Sequence, residues 1–142
     1  MKISVVGAGS WGTAIVSILS KNNHVNWWVR RERLKNQILL KKRNTKYLTN
    51  CNLNTKNITF FNNIDEIIKS SDLVIVAIPS EFIFTVFKNK GELLNSKTVL
   101  SAVKGVIPEI NTTPHEFFKS ISPNLNYGVI SGPCHAEEVA LE

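Results

Sequence analysis

Lys2-Ile-Ser-Val-Val6-Gly7-Ala-Gly9-Ser-Trp-Gly12-Thr-Ala14 is the stretch that decides the fold. Lys2 to Val6 is a short β-branched run, which favours a strand. From Trp11 onward the apolar residues fall at Trp11, Ala14, Ile15, Ile18 and Leu19, the spacing of one helical face. A strand therefore turns directly into a helix across a glycine-rich bend.

The same alternation continues outward. Asn22-Asn23 stops the first helix, Val25 to Val29 reads as a strand, and Arg31 to Lys42 as a helix with Leu34, Ile38 and Leu39 on one face. Residues 44–57 are polar and turn-rich, mostly loop. Ile58 to Phe61 is a strand, and Asn63 caps a short helix over Ile64 to Lys69, with Asp65 and Glu66 suiting its first turn. Leu73 to Ile78 is a buried strand ended by Pro79, after which Ser80 caps a helix carrying Phe82, Ile83, Val86 and Phe87. Lys97 to Ala102 is a strand, Thr113 to Ile121 a helix, and Tyr127 to Ile130 a last strand. Six strands interleaved with helices, several of them continuous apolar runs, imply an α/β domain: a doubly wound, mainly parallel sheet with helices on both faces.

Composition excludes several classes. The chain has 142 residues, 43% of them apolar, and a chain of that size buries roughly 70% of its unfolded surface, so disorder is out. No apolar run approaches the ~20 residues of a membrane span, and Met1-Lys2 leads into the first strand with no targeting segment, which points to the cytoplasm. Cys51 and Cys134 are too few for a disulfide framework and lack CxxC spacing. The net charge is +6, and eight of the seventeen basic residues lie between Arg30 and Lys46. They lack aromatic interleaving, which weighs against nucleic acid and leaves a solvated face or a nearby phosphate-bearing ligand. The many asparagines between Asn44 and Asn63 read as compositional drift without function. His24, His115, His135 and the two cysteines have no metal-ligand spacing, so no metal is expected. Gly91 to Thr98 imitates a phosphate loop but has Ser96 for its second glycine and precedes a strand.

In a doubly wound domain ligands collect beyond the carboxyl ends of the strands. The segments there are 7–12, Arg30-Arg31, 77–80, Lys104-Gly105 and 131–136. Gly7-Ala-Gly9-Ser-Trp-Gly12 fits GxGxxG in its required context, after a strand and opening a helix. Gly7 permits the tight turn, Gly9 lets a pyrophosphate approach the backbone, and Gly12 lets the helix pack close. The N–H groups of Ser10 and Trp11 then face the phosphates at the positive end of the helix dipole. The plain alternative is an ordinary glycine-rich turn. At the end of the second strand an NAD-specific site usually carries an acid. Arg30 and Arg31 stand there instead, suiting a 2′-phosphate and favouring NADPH over NADH. Glu32 is either that acid or a first-turn helix acid, and two solvated arginines remain the alternative. Lys104, just after a strand, is placed to hold a substrate phosphate or polarise a carbonyl. Ser131 to Glu138 reads as a turn into a helix. Cys134 there is a small packing residue rather than a nucleophile.

Taken together, these residues resemble the amino-terminal domain of bacterial-type NAD(P)-dependent glycerol-3-phosphate dehydrogenase. The matching segments are Gly7-Ala-Gly-Ser-Trp-Gly-Thr-Ala14, Trp28-Val-Arg-Arg31, Lys46-Tyr-Leu48, Val76-Ala-Ile-Pro-Ser80, Lys104-Gly-Val106 and Ser131-Gly-Pro-Cys-His-Ala-Glu-Glu-Val-Ala-Leu141. The resemblance implies a Rossmann-like domain and reversible hydride transfer between NAD(P)H and dihydroxyacetone phosphate, giving sn-glycerol 3-phosphate for phospholipids. By similarity, Ser10, Trp11, Arg30, Arg31 and Ala136 contact the cofactor, Lys104 contacts cofactor and substrate, and Gly132 and Cys134 contact the substrate. The family usually has serine at the position of Cys134, and proline where Thr49 stands. Its members continue into a helical second domain that carries the proton-donor lysine. By that resemblance the lysine is expected beyond Glu142, the last residue of this sequence, and no catalytic residue is assigned within residues 1–142. The expectation is a chain that binds NADPH and turns over little by itself, with no nucleic-acid partner and no membrane insertion. Oligomeric state stays open, a homodimer among the options. The cofactor half of another dehydrogenase and a stand-alone dinucleotide sensor are the rival readings.

Overall fold

The β-branched and aromatic runs form six strands: β1 (Ile3–Val6), β2 (Val25–Trp28), β3 (Ile58–Phe61), β4 (Leu73–Val76), β5 (Thr98–Ser101) and β6 (Asn126–Val129). The computed structural model that shows them describes residues 1–131 and 135–141. They join into one sheet in the order β3-β2-β1-β4-β5-β6, every neighbouring pair parallel. Ile3 lies opposite Val25 on one side and Leu73 on the other, so β1 is central. The chain winds outward from β1 to β3, then crosses back to β4 and winds outward again to β6. The gap between β1 and β4 beyond their carboxyl ends is the switch point at which such sheets hold ligands.

Helices cover both faces: α1 (Ser10–Leu19), α2 (Glu32–Lys41), α3 (Ile64–Lys69), α4 (Ser80–Phe87), α5 (Gly91–Leu94), α6 (Pro114–Ile121) and α7 (Ala136–Leu141). The alternation along β4 explains why its whole run is apolar. Val74 and Val76 pack with Ile67, Ile83, Phe87 and Phe118, on the α3 to α6 side. Ile75 packs with Ile15, Val16, Leu34 and Ile38, on the α1 and α2 side. A strand buried on both faces has no position for a polar side chain facing water. α7 lies against α1, where Ala136, Ala140 and Trp11 close over Ala14, Leu48 and Cys51. Among the described residues no helix is long and apolar enough to cross a membrane.

Local chemistry sets the boundaries. The Asn63 side chain accepts from the N–H groups of Asp65 and Glu66, as its cap position predicts. Thr113 and Glu116 form a capping box ahead of Pro114, which starts α6 with its φ already helical. Ser80 does not cap α4 as expected: it is the first helical residue, and Pro79 occupies the cap position with ψ 145°. Proline disfavours helical φ and ψ at Ile78 before it and is itself held at an extended ψ, so the helix cannot reach back past Pro79 and begins at the next residue, Ser80. α5 went unseen in the sequence because one turn is too short to show a period. Its Gly91 meets α6 closely: a Cβ there would lie 2.0 Å from the Ile121 carbonyl oxygen.

Candidate functional site

The turn between β1 and α1 has three carbonyls, and all of them are occupied. The Trp27 indole Nε1 donates to the Gly7 oxygen at 2.8 Å. The Asn44 amide Nδ2 donates to the Ala8 oxygen at 3.0 Å. The Gly9 oxygen accepts from the Thr13 backbone N–H at 2.9 Å and from the Thr13 hydroxyl at 2.8 Å. Opposite these acceptors, the first N–H groups of α1 have no carbonyl four residues back to reach, and Gly9 at the cap has no side chain to supply one. What the turn has left to offer is donors, backed by the helix dipole. Gly7 sits at φ +123°, and a Cβ on it would lie 2.3 Å from the Ala77 oxygen. Gly12 is equally constrained, its would-be Cβ 2.3 Å from the Gly7 oxygen. Gly9 differs: a Cβ there meets nothing within 4 Å, because the space outside it is open groove.

That groove runs along the carboxyl edge of the sheet as three adjoining cavities. The first, about 240 Å³, lies between the glycine turn and the end of β2, with Arg30, Arg31, Leu34, Tyr47 and Phe82 in its walls. The second, about 350 Å³, shares Gly9, Ile78 and Pro79 with it and extends to Ala102 and Lys104. The third, about 240 Å³, shares Ser10, Trp11, Ala102 and Lys104 with the second and adds Ser131 and Ala136. The expected site residues Gly9, Ser10, Trp11, Arg30, Arg31, Lys104 and Ala136 all line this groove, with Gly7 in its floor and Gly12 behind. Gly132 and Cys134 lie outside the described residues. So does Glu142, the residue beyond which the proton-donor lysine is expected. Glu32 lines none of these cavities. It sits in the first turn of α2, its carboxylate 2.6 Å from the Lys35 ammonium, so it is a helix acid.

The family profile described as "NAD-dependent glycerol-3-phosphate dehydrogenase N-terminus" matches residues 2–142. The chain belongs to this family. It is 33% identical over 141 residues to the glycerol-3-phosphate dehydrogenase [NAD(P)+] of Clostridium perfringens, covering 98% of this chain and 42% of that protein. Against the enzyme of the same name from Bacillus pumilus it is 37% identical over 145 residues, covering 99% and 42%. The chain thus spans about two-fifths of the length of these curated relatives. The crystal structure of glycerol-3-phosphate dehydrogenase from Coxiella burnetii superposes with a TM-score of 0.87 at 24% identity, over 99% of this chain and 43% of that one.

A glycerol-3-phosphate dehydrogenase amino-terminal domain implies a nicotinamide dinucleotide, and the residues present fit one. The three carbonyls of the turn are engaged, Gly9 leaves room for a diphosphate against the backbone, and the groove extends to both sides of it. Two residues that shape the turn carried no sequence signal as site residues. Asn44 is fully buried. Besides holding Ala8, its Nδ2 donates to the Thr13 hydroxyl at 2.8 Å, and its Oδ1 accepts from the N–H groups of Lys46 and Tyr47, each at 3.3 Å. The asparagine-rich stretch is therefore not drift at this position. Nor is it drift at Asn54 and Asn57, whose amides donate to the Ser20 oxygen at the end of α1. Trp27 read as a strand hydrophobe, and it is one, tilted against Phe60 at 5.6 Å. Its indole N–H is what reaches the turn.

Proposed function

We propose that residues 1–142 are the dinucleotide-binding half of a cytoplasmic oxidoreductase. It interconverts dihydroxyacetone phosphate and sn-glycerol 3-phosphate, a phospholipid precursor. The observation that carries this reading is the glycine turn whose carbonyls are all engaged and whose Ser10 and Trp11 amides meet no acceptor among the described residues, in a chain of this family. Gly7 and Gly12 build the turn, Gly9 admits the diphosphate, and the N–H groups of Ser10 and Trp11 donate to it. Arg30 and Arg31 at the end of β2 face the adenosine ribose and favour NADPH over NADH, and Glu32, which follows them, is paired with Lys35.

When bound, the nicotinamide supplies the hydride. The chain's own part is to hold and orient. Lys104 stands where the groove passes from the second cavity to the third, between the Trp11 end of α1 and Ala136. From there its ammonium holds a substrate phosphate or the developing charge on a carbonyl oxygen. Gly132 and Cys134 belong to the same substrate contact by family resemblance, Cys134 with a thiol where the family has a hydroxyl. The proton donor expected of the family belongs to the helical second domain, beyond Glu142. A polypeptide of residues 1–142 therefore binds cofactor and turns over little.

Separate titrations with NADPH and NADH, followed by tryptophan fluorescence, test the reading. Trp11 and Trp28 line the groove and Trp27 reports on the turn. Saturable binding of NADPH, tighter than that of NADH, is expected. Replacing Arg30 and Arg31 by Ala should weaken NADPH far more than NADH, and equal losses would remove the case for the 2′-phosphate.

A further inference from the structure

A fourth cavity, about 530 Å³, opens between α2 and the 44–48 loop, lined by Arg31, Arg33, Leu34, Gln37, Thr45 and Lys46. We propose that this cleft is a phosphomonoester subsite of the dinucleotide groove, in which Lys46 and Arg33 join Arg31 and determine specificity for the 2′-phosphorylated cofactor. The inference deepens the reading above and rests on it.

Three observations carry it. The cleft adjoins the first cavity of the groove, and Arg31 and Leu34 line both. Lys46 stands at the same seam from the opposite wall: its ammonium is 5.1 Å from the centre of the Tyr47 ring, and Tyr47 lines the groove. Three cations share the cleft with two neutral polar side chains, and among the described residues no carboxylate lines it or the adjoining groove. Three exposed cations around one space make a positive corner that an anion complements. A phosphomonoester carries close to two negative charges at pH 7 and three acceptor oxygens, so it matches that corner where a single hydroxyl does not.

The loop that carries Lys46 is held in place. The Lys46 and Tyr47 amides donate to Asn44 Oδ1, Asn44 is anchored on Ala8 and Thr13, and the Ser10 hydroxyl donates to the Tyr47 oxygen at 2.8 Å. The same turn that receives the diphosphate thus sets the distance from diphosphate to Lys46. A ribose bound past the end of β2 presents its 2′ position to this corner of the site.

The test is to measure dissociation constants of the chain and of its Lys46→Ala, Lys46→Glu and Arg33→Ala variants for NADPH, NADH and 2′,5′-ADP. Lys46→Ala is expected to weaken NADPH and 2′,5′-ADP on the order of tenfold and leave NADH within about twofold, with Lys46→Glu more severe and Arg33→Ala in the same direction. Retained NADH binding shows that each variant is folded. Equal losses for NADPH and NADH, or no loss for either, would overturn the subsite while leaving the dinucleotide groove intact. Failure of the unaltered chain to bind either dinucleotide would overturn the groove, and the subsite with it.

Discussion

Gly9 and Gly7 occupy neighbouring places in one motif and are glycine for different reasons. Gly7 needs its positive φ and its missing Cβ for the chain to fold past Ala77, whereas Gly9 has φ −73° and open space around it. Gly9→Ala is therefore expected to unfold within about 1 kcal/mol of the unaltered chain while losing at least tenfold in NADPH affinity. Gly7→Ala should fail to fold stably at all. Denaturant unfolding alongside a cofactor titration separates the two, and normal NADPH binding by Gly9→Ala would show that the diphosphate does not approach there. Asn44 makes a second test at this scale. Asn44→Ala removes a buried group that donates twice and accepts twice, with an expected cost of roughly 2–4 kcal/mol. Asn44→Asp keeps the acceptor toward Lys46 and Tyr47 and loses the donor toward Ala8 and Thr13, so cofactor affinity should fall even where the loop turn persists.

At the scale of elements, α6 carries a pH-sensitive start. The Glu116 carboxylate accepts from the Thr113 backbone N–H and from the Thr112 and Thr113 hydroxyls, which holds its pKa at about 2 instead of 4.5. Between those values the unfolded chain binds the proton more readily than the folded one. The stabilisation is complete above about 4.5 and is lost as pH falls toward about 2. Asp72 adds to the same slope, its pKa lowered chiefly by the Lys2 backbone N–H that donates to it at 2.7 Å. Thermal melts between pH 5 and pH 2 should thus show falling Tm, with Glu116→Gln flattening part of the fall and leaving the Asp72 part. An unchanged slope in that variant would remove the capping box as its source. Thr113→Ala should cost about 1 kcal/mol at neutral pH. The cap at Asn63 was legible because a cap is a relation between residues two or three positions apart, whereas Thr113 read as the first helical residue and is the cap before Pro114. Ser80 misled because the proline before it claimed the cap position, and α5 was silent because a single turn has no periodicity.

At the scale of the whole molecule, the sheet order brings the ends of β1, β2, β4 and β5 to one edge, and the groove is what lies beyond them. Ligand binding there should tie both halves of the sheet together. At an NADPH concentration about 100 times its dissociation constant, the chain is expected to gain about 2.7 kcal/mol, a rise in Tm on the order of 5–10 °C, read by differential scanning fluorimetry. No rise at saturating cofactor would contradict binding to the folded state.

Alone, the sequence determined the strand and helix alternation, the doubly wound class, the glycine turn and the arginines after β2. These follow from period, cap chemistry and backbone restriction within a few residues. Tertiary structure alone decided that Trp27 and Asn44 hold the carbonyls of that turn from 20 and 36 residues away. It alone brought Lys46 to the cleft that Arg31 and Arg33 line, and set Glu32 aside on Lys35. A hydrogen bond or a shared cavity between distant segments depends on where the sheet and its helices carry them, and no local pattern records that.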